Sequence, residues 1–117
     1  MATKDTKTLI ETSVARLVDE VPALRKLALV TRLELRERGG PAIWRVETPG
    51  PTVSRDPAAD AKIGVAIDRP AFNLLADKGH VTDWVTAFDK GVIRATGDQN
   101  ILKLIGKVIE LQRSRAT

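Results

Sequence analysis

Ala87-Phe88-Asp89-Lys90-Gly91-Val92-Ile93-Arg94-Ala95-Thr96-Gly97-Asp98 changes backbone style three times in twelve residues. Phe88 closes a helical run in which Val81, Trp84, Val85 and Phe88 recur at spacings of three and four, with Thr82, Asp83 and Asp89 on the opposite side. Gly91 ends that helix, because glycine takes the left-handed conformation that closes a helical turn without a Cβ penalty. Val92 to Thr96 reads as a short strand, Gly97 turns the chain, and Asp98 caps a last helix reaching to about Arg113.

On the amino-terminal side lies another helix, from an Asp68 cap and Pro70 in its first turn to about Asp77, stopped by Gly79. Ile63, Val65 and Ile67 share one face of the strand that feeds it. The first half opens with Leu9, Ile10, Val14, Leu17, Val18 and Val21 at helical spacing, while Glu11, Arg16 and Asp19 face away; Pro22 breaks this helix. From Leu27 the period becomes two. Leu27, Leu29, Thr31, Leu33 and Leu35 oppose Arg32, Glu34 and Arg36, and after a Gly39-Gly40 turn Ala42, Trp44 and Val46 alternate with Arg45 and Glu47. Pro49-Gly50-Pro51 is a second turn before a weak strand at Thr52–Ser54, and Asp56–Asp60 is a loop.

Arg32, Glu34, Arg45, Glu47, Lys62 and Arg94 all lie opposite the apolar side of their strands, so one sheet face is wet and the other covered. The expected fold is a two-layer α+β domain, a mainly antiparallel five-stranded sheet built as a meander and covered on one face by helices. Its element order is α-β-β-β-β-α-α-β-α.

The 117 residues, 43% hydrophobic and 29% charged, form one domain spanning 1–117, with material for a core without staples. No cysteine is present, which excludes disulfides, thiolate nucleophiles and Cys-ligated metals; His80 is the single histidine. No apolar run is long enough to span a membrane, and Met1 to Thr8 has no signal-peptide core, so the expected location is cytoplasmic. Residues 1–89 balance 13 Lys/Arg against 13 Asp/Glu. The net +4 therefore resides in residues 90–117, where Lys90, Arg94, Lys103, Lys107, Arg113 and Arg115 meet only Asp98 and Glu110. With four aromatics and no dense basic patch, nucleic acid is not an expected partner; the segment reads as a solvated face or a contact for an anionic membrane.

Catalytic motifs are lacking. There is no G-x-S-x-G elbow, P-loop or G-x-G-x-x-G, and Asp68 and Asp98 sit where caps are needed. His80 opens a helix, and Asp77, Asp83 and Asp89 fall six apart, which suits neither one helix face nor a calcium loop. No enzyme, cofactor or metal is expected. A small cofactorless enzyme using Asp68, Asp83, Asp98 or His80 as acid or base is the weakest alternative.

The last helix is unusual. Ile101, Leu102, Leu104, Ile105, Val108, Ile109 and Leu111 spread over about 180°, wider than the roughly 100° stripe of a helix lying on a sheet. Either the helix packs against two neighbours, or one flank lines a cavity for an apolar ligand.

Element order and three strings together resemble the sterol carrier protein-2 family over about residues 6–113. The strings are Ala61–Asp68, an apolar strand ending at a cap; Phe72–Gly79, a Phe-x-x-Leu helix closed by glycine; and Ala87–Asp98. The strand pair around Leu33 and Trp44 fits in place and type. The resemblance implies a non-catalytic carrier with an apolar tunnel for a sterol, fatty acid, fatty acyl-CoA or phospholipid between sheet and helices. Val92 stands where the family commonly has lysine, and Arg115-Ala116-Thr117 is not a peroxisomal address, which points to a bacterial or cytosolic stand-alone version. On this reading Phe72, Leu75, Trp84, Phe88, Leu102, Ile105 and Ile109 bound the pocket, with Leu33 and Trp44 as further candidates from the sheet; a plain packed core is the alternative for each. Lys103, Lys107, Arg113 and Arg115 would meet a membrane surface while the last helix gates the ligand. The family also serves as an accessory domain, so a partner enzyme is the other expectation.

Overall fold

The computed structural model describes residues 5–116, without the side chains of Arg113, Arg115 and Ala116. Met1–Lys4 and Thr117, on which the readings of the polar start and the terminal tripeptide depend, lie outside the described residues. Helix α1 (Thr6–Glu20) leads through a 3₁₀ turn at Pro22–Lys26 into strands β1 (Leu29–Arg36), β2 (Ala42–Thr48), β3 (Thr52–Ser54) and β4 (Ile63–Asp68). Helices α2 (Arg69–Lys78) and α3 (Val81–Asp89), strand β5 (Ile93–Gly97) and helix α4 (Gln99–Ala116) complete the chain. The element order is the expected one.

Besides small shifts at the start of β4, at Ile63 and not Ala61, and at the end of α4, at Ala116 and not Arg113, two strand starts differ. The first strand begins at Leu29 and not Leu27, because the 3₁₀ turn extends Pro22's break until the Leu27 N–H closes it on the Leu24 carbonyl. Val92 lies outside the last strand, its N–H donated back to the Ala87 carbonyl.

The sheet order is β3-β2-β1-β4-β5. β1–β2, β2–β3 and β4–β5 are antiparallel, but β1–β4 is parallel, so the sheet is no simple meander. After β3 the chain crosses to the far side of β1 along the polar face. The Asp60 carboxylate marks the crossing, accepting from Arg45 Nε at 3.2 Å and Nη2 at 2.7 Å. The expected wet face is thus partly roofed by a loop.

Register puts Leu33 opposite Trp44 and Val65, and Ile67 between Leu35 and Ile93, on the other face. These side chains form one core with Val46 and Val53, covered by Ile10 of α1, Phe72 and Ala76 of α2, and half-buried Trp84 and Ala87 of α3. Phe72, Ile10 and Leu35 are essentially sealed from water, each such side chain contributing about 1.5–3 kcal/mol. Gly97 joins β5 to α4 at φ +113°, where an added Cβ would strike the backbone of Lys62 and Ile63. The Asp98 N–H reaches the Lys62 carbonyl at 3.0 Å, fixing where α4 departs.

Candidate functional site

The α2–α3 elbow is held from outside by α1. Arg16, read from its spacing as facing away, instead bends its guanidinium along the helix flank to three carbonyls that α2 leaves unpaired. Nη1 donates to Ala76 O at 3.3 Å and Gly79 O at 3.1 Å, and Nη2 to Asp77 O at 3.3 Å. One turn further, Glu20 takes the Val81 N–H at 2.9 Å and faces His80 Nδ1 at 3.0 Å. The elbow is tight: a Cβ on Gly79 would lie 2.5 Å from the Leu75 carbonyl oxygen.

With the elbow pinned, the Phe72 and Trp84 rings meet edge to face, centroids 6.3 Å apart. Phe72, Leu75 and Trp84 pack into the same core as Leu33 and Trp44, so five of the sequence-predicted residues are brought together. Phe88, one turn beyond Trp84, is 52% exposed.

Leu102, Ile105 and Ile109 line up on α4, which packs against β5 and the 3₁₀ turn. They are half-buried, as are Ile101 and Val108, and none joins the central core. Leu104 and Leu111 are 44% and 51% exposed. Among the described residues α4 contributes no fully buried side chain, although its apolar arc covers about 180°. Lys103 and Lys107 are exposed beside Leu104 and Leu111; the side chains of Arg113 and Arg115 lie outside the described ones.

Sequence reasoning did not anticipate one polar feature. Trp44 is 8% exposed, and its indole Nε1 is buried with no hydrogen-bond acceptor among the described residues. The Arg55 guanidinium carbon lies 5.1 Å from its ring centroid, in cation–π range. Alternation marks Trp44 as inward-facing but carries no information on where an indole N–H points.

Of the acid and base candidates, Asp83, Asp98 and His80 have structural partners, and among the described residues the Asp68 side chain has no ion pair. Asp98 Oδ1 caps α4, accepting from Asn100 N at 2.9 Å and Ile101 N at 3.2 Å. Asp83 accepts the His80 N–H at 2.9 Å. Asp68 holds the N-cap position of α2, but its side chain makes no capping bond. Among the described residues no group of three or more His, Cys, Asp or Glu side chains could hold a metal, and no helix is long and apolar enough to cross a membrane.

Two surface hollows lie away from the apolar candidates. One of about 560 Å³ runs along α1, lined by Glu11, Thr12, Ala15, Arg16, Asp19 and Pro51. Another of about 380 Å³ opens on the polar sheet face.

Palmitated SCP2L2 from Aedes aegypti, solved in solution, superposes with a TM-score of 0.62 at 22% identity, covering 91% of this chain and 95% of that one. The sterol carrier protein domain 2 of Helicoverpa armigera gives 0.62 at 15% identity over 97% and 94% of the two chains. This chain has the sterol carrier protein-2 fold. A ubiquinone synthesis protein described as UbiJ-SCP2 shares the fold at a TM-score of 0.52 and 18% identity, covering 91% and 90%. No family model and no curated protein matches the sequence.

Proposed function

We propose that this chain is a non-catalytic binding protein that takes up an apolar molecule along α4, with Phe88 and the Phe72–Trp84 pair at one end of the site. The observation that carries the reading is the state of α4. It has seven apolar residues between Ile101 and Leu111, yet five are only half-buried and two are about half exposed to water. An acyl chain or sterol laid against Leu102, Ile105 and Ile109 would complete their burial, gaining about 0.8 kcal/mol per buried methylene. The palmitated state of the mosquito neighbour is in keeping with this, and fatty acid, fatty acyl-CoA and sterol are the ligand classes to try.

Exchange would occur at a membrane. Lys103 and Lys107 flank the exposed Leu104 and Leu111, and basic residues at an anionic surface contribute about 1 kcal/mol each. Such docking is weak and salt-sensitive, suited to delivery in the cytoplasm and not to anchoring. A second reading is favoured by the same exposed side chains together with the likeness to the ubiquinone synthesis protein: α4 and Phe88 would dock a partner enzyme, and the domain would act as its accessory.

Native mass spectrometry and titration with palmitate, palmitoyl-CoA and cholesterol test the first reading. Saturable 1:1 binding is expected, lost in Ile105→Asn, which retains the fold because no α4 side chain belongs to the central core. Absence of saturable binding for all three overturns it and leaves the accessory reading.

A further inference from the structure

The hollow on the polar sheet face is built unlike the rest of that surface. It lies where the crossover loop descends onto β4, lined by Arg32, Lys62 and Thr96, a floor of Ala61, Ile63, Gly64 and Gly97, and a wall of Pro57, Ala58 and Ala59. A Cβ on Gly64 would come within 3.1 Å of Thr96 Oγ1, so glycine there leaves the hydroxyl uncovered. The wall is held in a costly shape. Ala58 is buried at φ +55°, a conformation L-residues other than Asn and Asp seldom adopt. It is clamped by its N–H on Asp56 Oδ1 at 2.7 Å and its carbonyl under the Ala61 N–H at 3.0 Å. Strain of this kind persists only where surrounding contacts over-determine it.

Charge is arranged to match. No carboxylate lines the hollow. Nearby acids are already engaged: Asp56 by Ala58, Asp60 by Arg45, Glu34 by Arg32 and Arg36, and Asp98 by the start of α4. Among the described residues Lys62 has no side-chain partner. Neither has Arg94, two residues from Thr96 on the same face. Arg32 spends one nitrogen on Glu34 at 3.3 Å and leaves the rest of its fork free. Cationic donors, a hydroxyl and small-residue walls are the elements that bind a phosphate group, and the volume leaves room for the moiety that bears it.

We infer that this hollow binds the phosphate group of a phosphorylated ligand, held by Lys62, Arg32 and the Thr96 hydroxyl. It is separate from the α4 site, and neither depends on the other. The phosphate could belong to a soluble molecule or to a lipid headgroup, and amide NMR shifts distinguish these sources. Inorganic phosphate and pyrophosphate are titrated at constant ionic strength, and separately vesicles of phosphatidylcholine with or without phosphatidic acid. Saturable shifts confined to Arg32 and residues 57–64 and 96–97 with the soluble anions support a soluble ligand. The same shifts only with phosphatidic acid vesicles support a headgroup. In either case Lys62→Gln should weaken binding at least tenfold and Thr96→Val severalfold, while Lys78→Gln, at the exposed end of α2, changes nothing at this site. Lys62 is exposed and uses only its backbone in the fold, so its variant folds. Shifts spread evenly over all basic residues, shifts unaltered in Lys62→Gln, or none from any probe would overturn the assignment.

Discussion

Removing the Arg16 guanidinium should loosen the α2–α3 elbow by an amount set by its three carbonyl contacts. A single full-strength hydrogen bond to a charged group contributes about 1.5–3 kcal/mol. The distances here, 3.1–3.3 Å, are longer than the 2.7–2.9 Å typical of strong charge-assisted bonds, and part of the fork is exposed. Water can also replace the guanidinium at Asp77 O. The three long, partly exposed contacts together count for about one full-strength bond at the low end, so Arg16→Met should cost about 1.5–2 kcal/mol, with helix propensity almost unchanged. Unfolding entropy near 2.1 cal/mol/K per residue makes that a fall in Tm of about 6–8 °C for a chain of this length. Arg16→Lys should recover less than half, because an ammonium cannot reach three carbonyls in a planar fork. Urea and thermal unfolding followed by circular dichroism give the global number. Hydrogen exchange at Gly79, whose N–H is bonded to the Leu75 carbonyl at 2.8 Å, reports the elbow itself. A loss below about 0.5 kcal/mol for Arg16→Met, or full recovery by lysine, would show that α1 does not hold the elbow in this way.

Trp44→Phe should lie within about 1 kcal/mol of the parent in urea melts, since removing an orphaned buried donor returns about 1–3 kcal/mol against a similar cavity cost. Trp44→Ala should cost about 3–5 kcal/mol, and a loss beyond about 2 kcal/mol in the Phe variant would mean that the indole N–H has an acceptor in solution. Asp98→Ala removes the acceptor for two α4 amides and should cost about 1 kcal/mol. It should be read as faster exchange at Asn100 and Ile101 more than as a lower Tm, because α4 lies outside the central core; unchanged exchange there would contradict the cap. Acid should also weaken the fold slightly through its polar face. The Arg36 hydrogen bond holds Glu34 below its ordinary value, and the Arg45 hydrogen bond does the same for Asp60. Carboxylates with depressed native pKa stabilise the fold above their unfolded values and lose that contribution as pH falls below about 4. A Glu34→Gln, Asp60→Asn double variant should therefore show a flatter stability profile from pH 5 to pH 2.5, and an identical slope would remove these pairs from the account.

Local structure was legible because each boundary has a chemical marker. Pro22, Gly79, Gly91 and Asp98 end or begin helices where their side chains, or the lack of one, change backbone preference within a single turn. Alternation assigned the inward residues Leu33, Leu35, Trp44, Val46 and Ile67 correctly, since a strand buried on one face repeats every two residues. Alternation is blind to which strand lies alongside, and that is why β4 reads equally well as the next strand of a meander and as the parallel neighbour of β1 that it is. The same limit applied to the site. Periodicity measured the width of α4's apolar arc but not how much of it neighbours would cover, and only packing leaves Leu104, Leu111 and Phe88 exposed. Arg16 at the elbow, the unpartnered Trp44 indole and the hollow beside Lys62 each depend on residues tens of positions apart meeting in space. The sequence by itself determined the elements, their order and their inward faces, because those follow from short-range sterics and burial. Tertiary structure alone decided strand neighbours and which polar and apolar groups were left without partners, because those depend on distances no local pattern encodes.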